Sequence, residues 1–219
     1  GLLPDSSGKL PALTRQPMMK NLEQMLLMEV LIHHVDSLRF LLGDLELESS
    51  RMGKVCNEIA GEDNVTLYMR SKSDGSVILT GNFSAHGYPS SLFDDLEIIG
   101  ETGTIRLHGD QLELIALQPQ SIKVDLDADY EMSYHDTIKH FLDCLCSGRQ
   151  FFTLSEDILQ SLYIVDFFFW SFSSYNLVLS PFISFDFFEF PLLFRLALFL
   201  SSVIFFSCLH SVLPPLLCL

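Results

Sequence analysis

Hydrophobic residues between positions 18 and 42 recur at intervals of three and four, which places them along one side of a helix. Gly43 stands where such a helix would end. The pattern therefore predicts a helix over residues 18–42. Residues 1–16 show no hydrophobic period and contain Pro, Gly and Ser, so we expect a loop or a linker remnant there. The apolar residues of the helical stripe are Leu22, Met25, Leu26, Val30, Leu38, Leu41 and Leu42.

After Gly43 the pattern changes to short β-rich runs that are separated by polar turns. The pair Asp74-Gly75 is a strong hairpin signal between two of these runs, and Gly109-Asp110 is placed to turn another pair. Short strands with polar turns and no helix between them predict an antiparallel meander. The predicted strands are 64–70, 76–83, 92–99, 104–108, 111–117 and, as a sixth candidate, 122–126.

Two further helices are predicted after the strands. The first extends from about Tyr134 to Cys146, and the second begins near Ser155, a favoured N-cap residue, and extends to about Val165. The resulting fold class is α+β, an open antiparallel β-sheet with helices packed on one face. No βαβ unit and no Gly-x-Gly-x-x-Gly after a strand is visible, so we expect no Rossmann domain in this chain.

The composition changes sharply near Asp166. Residues 167–219 contain 13 of the 19 Phe residues, no Gly, no Lys and only three charged residues. We therefore divide the chain into a linker remnant (1–16), a globular domain (17–166) and an apolar tail (167–219). Phe, Ser, Leu and Pro are encoded by pyrimidine-rich codons, so one explanation of the tail is translated non-coding sequence. The competing explanation is a membrane span, for which only residues 192–209 are long and apolar enough.

The charge of the chain narrows the classes of partner. The formal net charge is -15, which argues against a protein that binds nucleic acid, because such a protein shows a basic surface. The five cysteines have no metal-ligand spacing, and free thiols are typical of the cytoplasm. No signal peptide is recognisable at Gly1, and we expect the chain to be a fragment of a longer protein.

Candidate chemistry lies on the first predicted helix. At about 100° per residue, Glu29, His33 and Asp36 fall within an arc of about 60°. A carboxylate one turn before an imidazole can orient it and raise its basicity, and such a base can remove a proton from an alcohol while hydride leaves. Two alternatives stay open: a divalent metal held by the same groups, or ordinary polar contacts such as a pair between Asp36 and Arg39.

Two other residues are weaker candidates for substrate binding. His86 and Tyr88 follow a predicted strand and could line a pocket at its end. The alternative is that both lie in a plain surface loop. His34 falls on the other side of the helix from His33, and we expect it to be structural.

Residues 29–43 resemble the signature at the start of the C-terminal domain of Gfo/Idh/MocA oxidoreductases. That signature is an acidic residue, three residues, His, two residues, Asp, and a hydrophobic helix that ends in Leu-x-Gly. Residues 97–107, 137–148 and those after Thr153 are similar to later parts of the domain in the same order. The resemblance covers about 140 residues and ends at Phe167. Many relatives have Asp at the acidic position, where this chain has Glu29.

The resemblance implies a substrate and dimerisation domain of an NAD(P)-dependent dehydrogenase that acts on a sugar, a polyol or a related small hydroxy compound. It gives His33 and Glu29 catalytic roles beside the substrate, with Asp36 as a further substrate contact. NAD or NADP would bind a preceding Rossmann domain, so no cofactor is expected to bind this chain alone. Self-association through the sheet is also implied. The alternatives are a catalytically silent oligomerisation domain and a small membrane-anchored protein.

Overall fold

The computed structural model describes residues 2–88 and 93–174, with side chains up to residue 166, and these residues form two compact units. The first unit comprises residues 2–88 and 153–174, and the second comprises residues 93–152. The helices are α1 (Pro11–Arg15), α2 (Ile32–Leu42), α3 (Leu126–Ser147) and α4 (Ser155–Ser174), with a 3-10 helix at Pro17–Asn21 and a π-helical turn at Leu27–Leu31. The strands are β1 (Leu45–Gly53), β2 (Asn64–Ser71), β3 (Ser76–Asn82), β4 (Asp95–Ile99), β5 (Thr104–His108), β6 (Gln111–Ile115) and β7 (Gln120–Lys123).

The first unit is built on an antiparallel sheet in the order β1-β2-β3. Alternate residues of β2 point to one face, and there Val65, Leu67 and Met69 are fully buried. The hairpin between β2 and β3 turns at Asp74, which adopts a positive φ of 66°. The opposite face exposes the cross-strand pair Tyr68 and Ile78. Self-association through this sheet stays a prediction, which sedimentation of the chain would check.

The second unit is a four-stranded antiparallel meander followed by α3. Leu112 and Val124 form its buried centre. Three apolar residues of β5 and β6 pack around them: Ile105, Leu107 and Leu114. The Asp125 carboxylate caps α3 by accepting the Ala128 N–H at 3.2 Å. Gly148 ends the helix in the left-handed conformation, with φ 66°.

The predicted α+β class, with open antiparallel sheets and a few helices, is confirmed. Several elements differ from the prediction: α3 begins at Leu126 and not near Tyr134, the strand predicted at 122–126 lies at Gln120–Lys123, and the helix predicted over 18–42 is interrupted between Asn21 and Met25. The described strands form two sheets instead of one, because β3 and β4 pair with different neighbours. Strand β1 was not predicted: its apolar-polar alternation stops after Glu48, where the register shifts between Leu47 and Ser49, and the outward Glu46 and Glu48 bind Arg70 on β2.

The ends of the chain also differ from the predicted elements. The segment assigned to a linker contains α1, and its Leu2 and Leu13 are buried, because two isolated apolar residues can pack without any sequence period. Helix α4 extends beyond the predicted end at Val165 to Ser174. No helix within residues 2–88 and 93–174 is long and apolar enough to cross a bilayer. The candidate span at 192–209 lies outside the described residues.

Candidate functional site

The helix that carries the predicted catalytic residues is not a regular α-helix. Residues 25–26 are α-helical, Leu27–Leu31 form a π-helical turn, and α2 continues from Ile32. A π turn is wider than an α turn, so the angle between Glu29 and His33 differs from the one that an unbroken α-helix predicts. Single π turns within α-helices occur frequently at functional sites, which makes this segment the primary candidate.

His33 is half-buried on the first turn of α2. Burial lowers the pKa of His33 to about 4, and the positive charge of a protonated His34 adds to this effect. The imidazole is therefore uncharged at neutral pH and has a nitrogen lone pair that can accept a proton. The Ser37 hydroxyl donates to the carbonyl oxygen of His33 at 2.8 Å, which ties the backbone at this position to the next turn.

Glu29 lies within the π turn and is also half-buried. Burial raises the pKa of the Glu29 carboxyl group. The environment therefore favours the uncharged form of both Glu29 and His33. The pKa of His33 is lowered, so the higher basicity that the spacing from Glu29 predicts is not found.

Asp36 lies in a buried polar network that joins α2 to α4. Its Oδ1 accepts a hydrogen bond from the Ser161 hydroxyl at 2.7 Å and lies 3.7 Å from Nη1 of Arg39. Arg39 also donates to Ser161 at 2.8 Å and binds the Asp157 carboxylate at 2.8 Å. The pair between Asp36 and Arg39, one alternative left open by the sequence, is therefore present. A substrate contact by Asp36 stays a prediction.

His34 contacts the backbone of its own helix, and its structural role stays a prediction. Its Nδ1 lies 3.1 Å from the Val30 carbonyl oxygen, close enough for an Nδ1–H to donate. His34 and His33 are therefore adjacent imidazoles with different surroundings.

His86 and Tyr88 follow β3, and the structure separates their environments. His86 lines a cavity of about 350 Å³ together with Ser84, Cys56 and residues of the N-terminal segment. Glu29, His33 and Asp36 are not among the residues that line this cavity. Tyr88 is exposed. Substrate binding by His86 and Tyr88 stays a prediction.

The described side chains give no support to the metal alternative. Among residues 2–88 and 93–166, no three His, Cys, Asp or Glu side chains are grouped closely enough to hold an ion.

Two buried acids near the candidate helix were missed by the sequence analysis. Glu62 and Asp63 are 6 % and 0 % exposed, although acidic residues are rarely buried to this degree. Glu62 accepts a backbone hydrogen bond from Leu27, 35 residues earlier, and Asp63 accepts backbone hydrogen bonds from Val55 and Cys56, eight and seven residues earlier. The only local signal is the turn-forming Gly61 before them, which does not by itself indicate burial.

The stability of the fold is expected to fall as the pH decreases from about 6.5 to about 4 because of His33. In this window the unfolded chain, with the ordinary pKa of 6.5, binds a proton that the folded chain, with a pKa of about 4, excludes. The lost contribution reaches about 3 kcal/mol at the acid end. Urea unfolding of the chain and of His33→Gln at pH 7 and pH 4.5 measures it.

The difference between the parent chain and His33→Gln separates the contribution of His33 to the free energy of unfolding from the contributions of the other titrating groups. The raised pKa values of Glu29 and Glu62 contribute in the opposite sense, since that stability is present at low pH and lost as the pH rises. These contributions are shared by both chains and cancel in the difference. An equal loss of stability in both chains would contradict the prediction.

Comparisons with known proteins agree with this architecture. Residues 10–106 match the model of the GFO/IDH/MocA C-terminal domain. The chain is 25% identical over 166 residues to a D-apiose dehydrogenase from Paraburkholderia graminis, a match that covers 69% of this chain and 44% of the relative. It is 27% identical over 169 residues to a D-apiose dehydrogenase from Rhizobium rhizogenes, covering 69% and 47%. The chain thus spans less than half the length of these curated relatives.

Solved structures share the fold. An oxidoreductase from Agrobacterium radiobacter, in complex with NAD+, L-tartaric acid and magnesium, superimposes with a TM-score of 0.65 at 24% identity, covering 74% of this chain and 51% of that one. The WlbA dehydrogenase from Bordetella pertussis, in complex with NADH and UDP-GlcNAcA, gives a TM-score of 0.51 at 21% identity, covering 69% and 44%. The matched domain, its antiparallel architecture and these relatives agree: residues 10–106 are similar to the C-terminal domain of the GFO/IDH/MocA oxidoreductases.

Proposed function

We propose that this chain supplies the substrate-binding half of an NAD(P)-dependent dehydrogenase that acts on a sugar or a related small hydroxy compound. The observation that carries the proposal is the half-buried, uncharged imidazole of His33, one turn after the acidic Glu29 on a helix with a π turn. The two D-apiose dehydrogenases to which the chain is similar support a sugar as the substrate. We also propose that the protein is cytoplasmic, which the three free cysteines of the described residues support.

The described residues do not fit a dinucleotide. A Rossmann site holds the pyrophosphate at a helix N-terminus that follows a parallel strand. Every strand pair in the described residues is antiparallel. We therefore assign NAD or NADP to a domain other than this one, and we assign to His33 and Glu29 only the chemistry of the substrate.

In that role His33 acts as a general base. Oxidation of an alcohol to a carbonyl requires removal of the hydroxyl proton, and the neutral imidazole can accept it if a substrate oxygen comes within hydrogen-bond distance. Glu29, when ionised, would stabilise the resulting imidazolium. Burial disfavours that charge, so the proton must leave His33 again after each turnover, through Glu29 or through water.

The proposal is tested with a two-domain enzyme in which a cofactor-binding domain is placed before this chain. We expect reduction of NAD or NADP in the presence of D-apiose or another member of a panel of sugars and polyols. The matched control is the 219-residue chain alone, which we expect to produce no saturable change in NADH or NADPH fluorescence. A two-domain enzyme that binds the cofactor but oxidises no sugar or polyol would refute the proposed substrate class. Micromolar binding of NADH by the chain alone would refute the assignment of the cofactor site.

A further inference from the structure

The start of the candidate helix is held by one residue from a distant part of the sequence. Glu62 accepts the backbone N–H groups of Met25 and Leu27 through its two carboxylate oxygens, at 3.2 and 2.8 Å. Its own carbonyl oxygen accepts the N–H of Leu26 at 3.3 Å. The first N–H groups of a helix have no partner within the helix. Glu62 thus satisfies three of them, although it lies 35 residues beyond Leu27.

The backbone is shaped for this approach. A side chain at Gly61 would place its Cβ 2.5 Å from the Leu22 carbonyl oxygen and 2.8 Å from that of Glu23, so only glycine lets the two segments come this close. The N–H of Ala60 donates to the Lys20 carbonyl at 2.8 Å, which extends the contact. The segment around Glu62 is therefore docked directly beneath the first turn of the helix.

The π turn that contains Glu29 begins at the residue that Glu62 binds. Leu27 is both the donor to Oε1 of Glu62 and the first residue of the turn Leu27–Leu31. A π turn has poorer intrinsic stability than an α turn and persists where its surroundings hold it. A negative carboxylate at the helix N-terminus adds favourable interaction with the helix dipole.

The neighbouring acid holds a different element. Asp63 accepts the N–H groups of Val55 and Cys56 at 2.9 and 2.7 Å and the hydroxyl of Ser84 at 2.7 Å. Ser84 lies two residues before His86 and lines the same cavity. Glu62 and Asp63 are thus adjacent, similarly buried and similarly bonded, but the hydrogen bonds to the helix of His33 come from Glu62.

We propose that Glu62 is a positioning residue, whose carboxylate holds the π turn and thereby fixes the placement of Glu29 and His33 for proton transfer. The inference rests on the proposed function, because positioning matters only if these groups contact the substrate. Asp63 holds a different segment, the one that leads to His86. Neither acid needs to touch the substrate.

The test follows the His33 imidazole directly, by long-range ¹H–¹⁵N spectra of the full 219-residue chain across pH, with His33→Gln to assign its signal. Glu62→Gln keeps the size of the side chain but turns an amide N–H toward a backbone donor, so one helix N–H loses its acceptor. The loosened turn admits water around His33. We therefore expect the pKa of His33 to rise toward its ordinary value by at least about half a unit.

Asp63→Asn is the matched control, since it makes the same chemical change in an equally buried acid next to Glu62. It should lower the melting temperature comparably and leave the His33 midpoint within about 0.2 unit. Glu62→Asp keeps the charge on a shorter stem and should give a smaller shift in the same direction, and it replaces Glu62→Gln if that variant does not fold.

The proposal is overturned if the Glu62 variants leave the His33 midpoint unchanged, or if Asp63→Asn moves it as far as they do. The second result would mean that general loosening, and not the cap, controls the site. The readout is independent of turnover. A His33→Gln enzyme that stays active would remove the proposed function while leaving these titrations as evidence about the position of the helix.

Discussion

Replacement of Arg39 by methionine is expected to lower the free energy of unfolding by about 3 to 5 kcal/mol, because it leaves a buried carboxylate without its partner. The Arg39 side chain is 6% exposed and that of Asp36 is 11% exposed. Within the part of the chain that the structure describes, Asp36 in the variant keeps the hydrogen bond from Ser161, at 2.7 Å. Asp157 and Asp44 also lose Arg39, but both are half-exposed and can be hydrated instead. Urea unfolding of the full chain measures the change.

Arg70→Met is the matched control, because Arg70 also binds carboxylates but does so at the surface. It lies 2.8 Å from both Glu46 and Glu48, and its side chain is 46% exposed. Exposed ion pairs contribute about 0 to 1 kcal/mol, so this variant should lose much less stability than Arg39→Met. The double variant Asp36→Asn with Arg39→Met should recover part of the loss by removing the unpaired charge. Equal losses for Arg39 and Arg70 would show that burial is not the cause.

The difference between these two arginines illustrates what the sequence could reveal about the fold. Periodicity predicted strands β2 to β6 because each alternates apolar and polar residues or is bounded by a turn such as Asp74-Gly75. It missed β1, whose outward acids pair with Arg70 across the sheet. Such a pair depends on a neighbour that is distant in sequence. No local pattern distinguishes Arg70 from the buried Arg39.

The candidate site shows the same limit. The spacing of Glu29 and His33 was sufficient to identify one helical segment with acid and base groups, since that depends only on local geometry. The π turn and the cap by Glu62 were not predictable, because both depend on a contact made by a residue 35 positions later than Leu27. The partners of Asp36 were predicted in part: Arg39 lies one turn away, whereas Ser161 comes from α4.

Under the proposed function, replacement of His33 by glutamine is expected to reduce the turnover of an enzyme that joins this chain to a cofactor-binding domain by about 10²- to 10⁴-fold, the usual contribution of a general base. Glutamine is polar and similar in size but cannot accept the proton at neutral pH. The effect should fall on kcat, with a smaller change in KM, because the lost interaction develops only as the proton moves. Initial rates with a sugar substrate at saturating cofactor measure both constants.

His34→Gln distinguishes a catalytic imidazole from a merely buried one. His34 is also half-buried, is adjacent in sequence, and contacts the backbone at Val30. The His34→Gln variant should therefore lose at least as much free energy of unfolding as the His33→Gln variant. Its kcat, however, should change by less than about tenfold. Turnover within threefold of the parent enzyme in His33→Gln, with the fold intact, would remove this imidazole from the reaction. Equal losses in both variants would assign the effect to disturbance of α2 and not to the chemistry of His33.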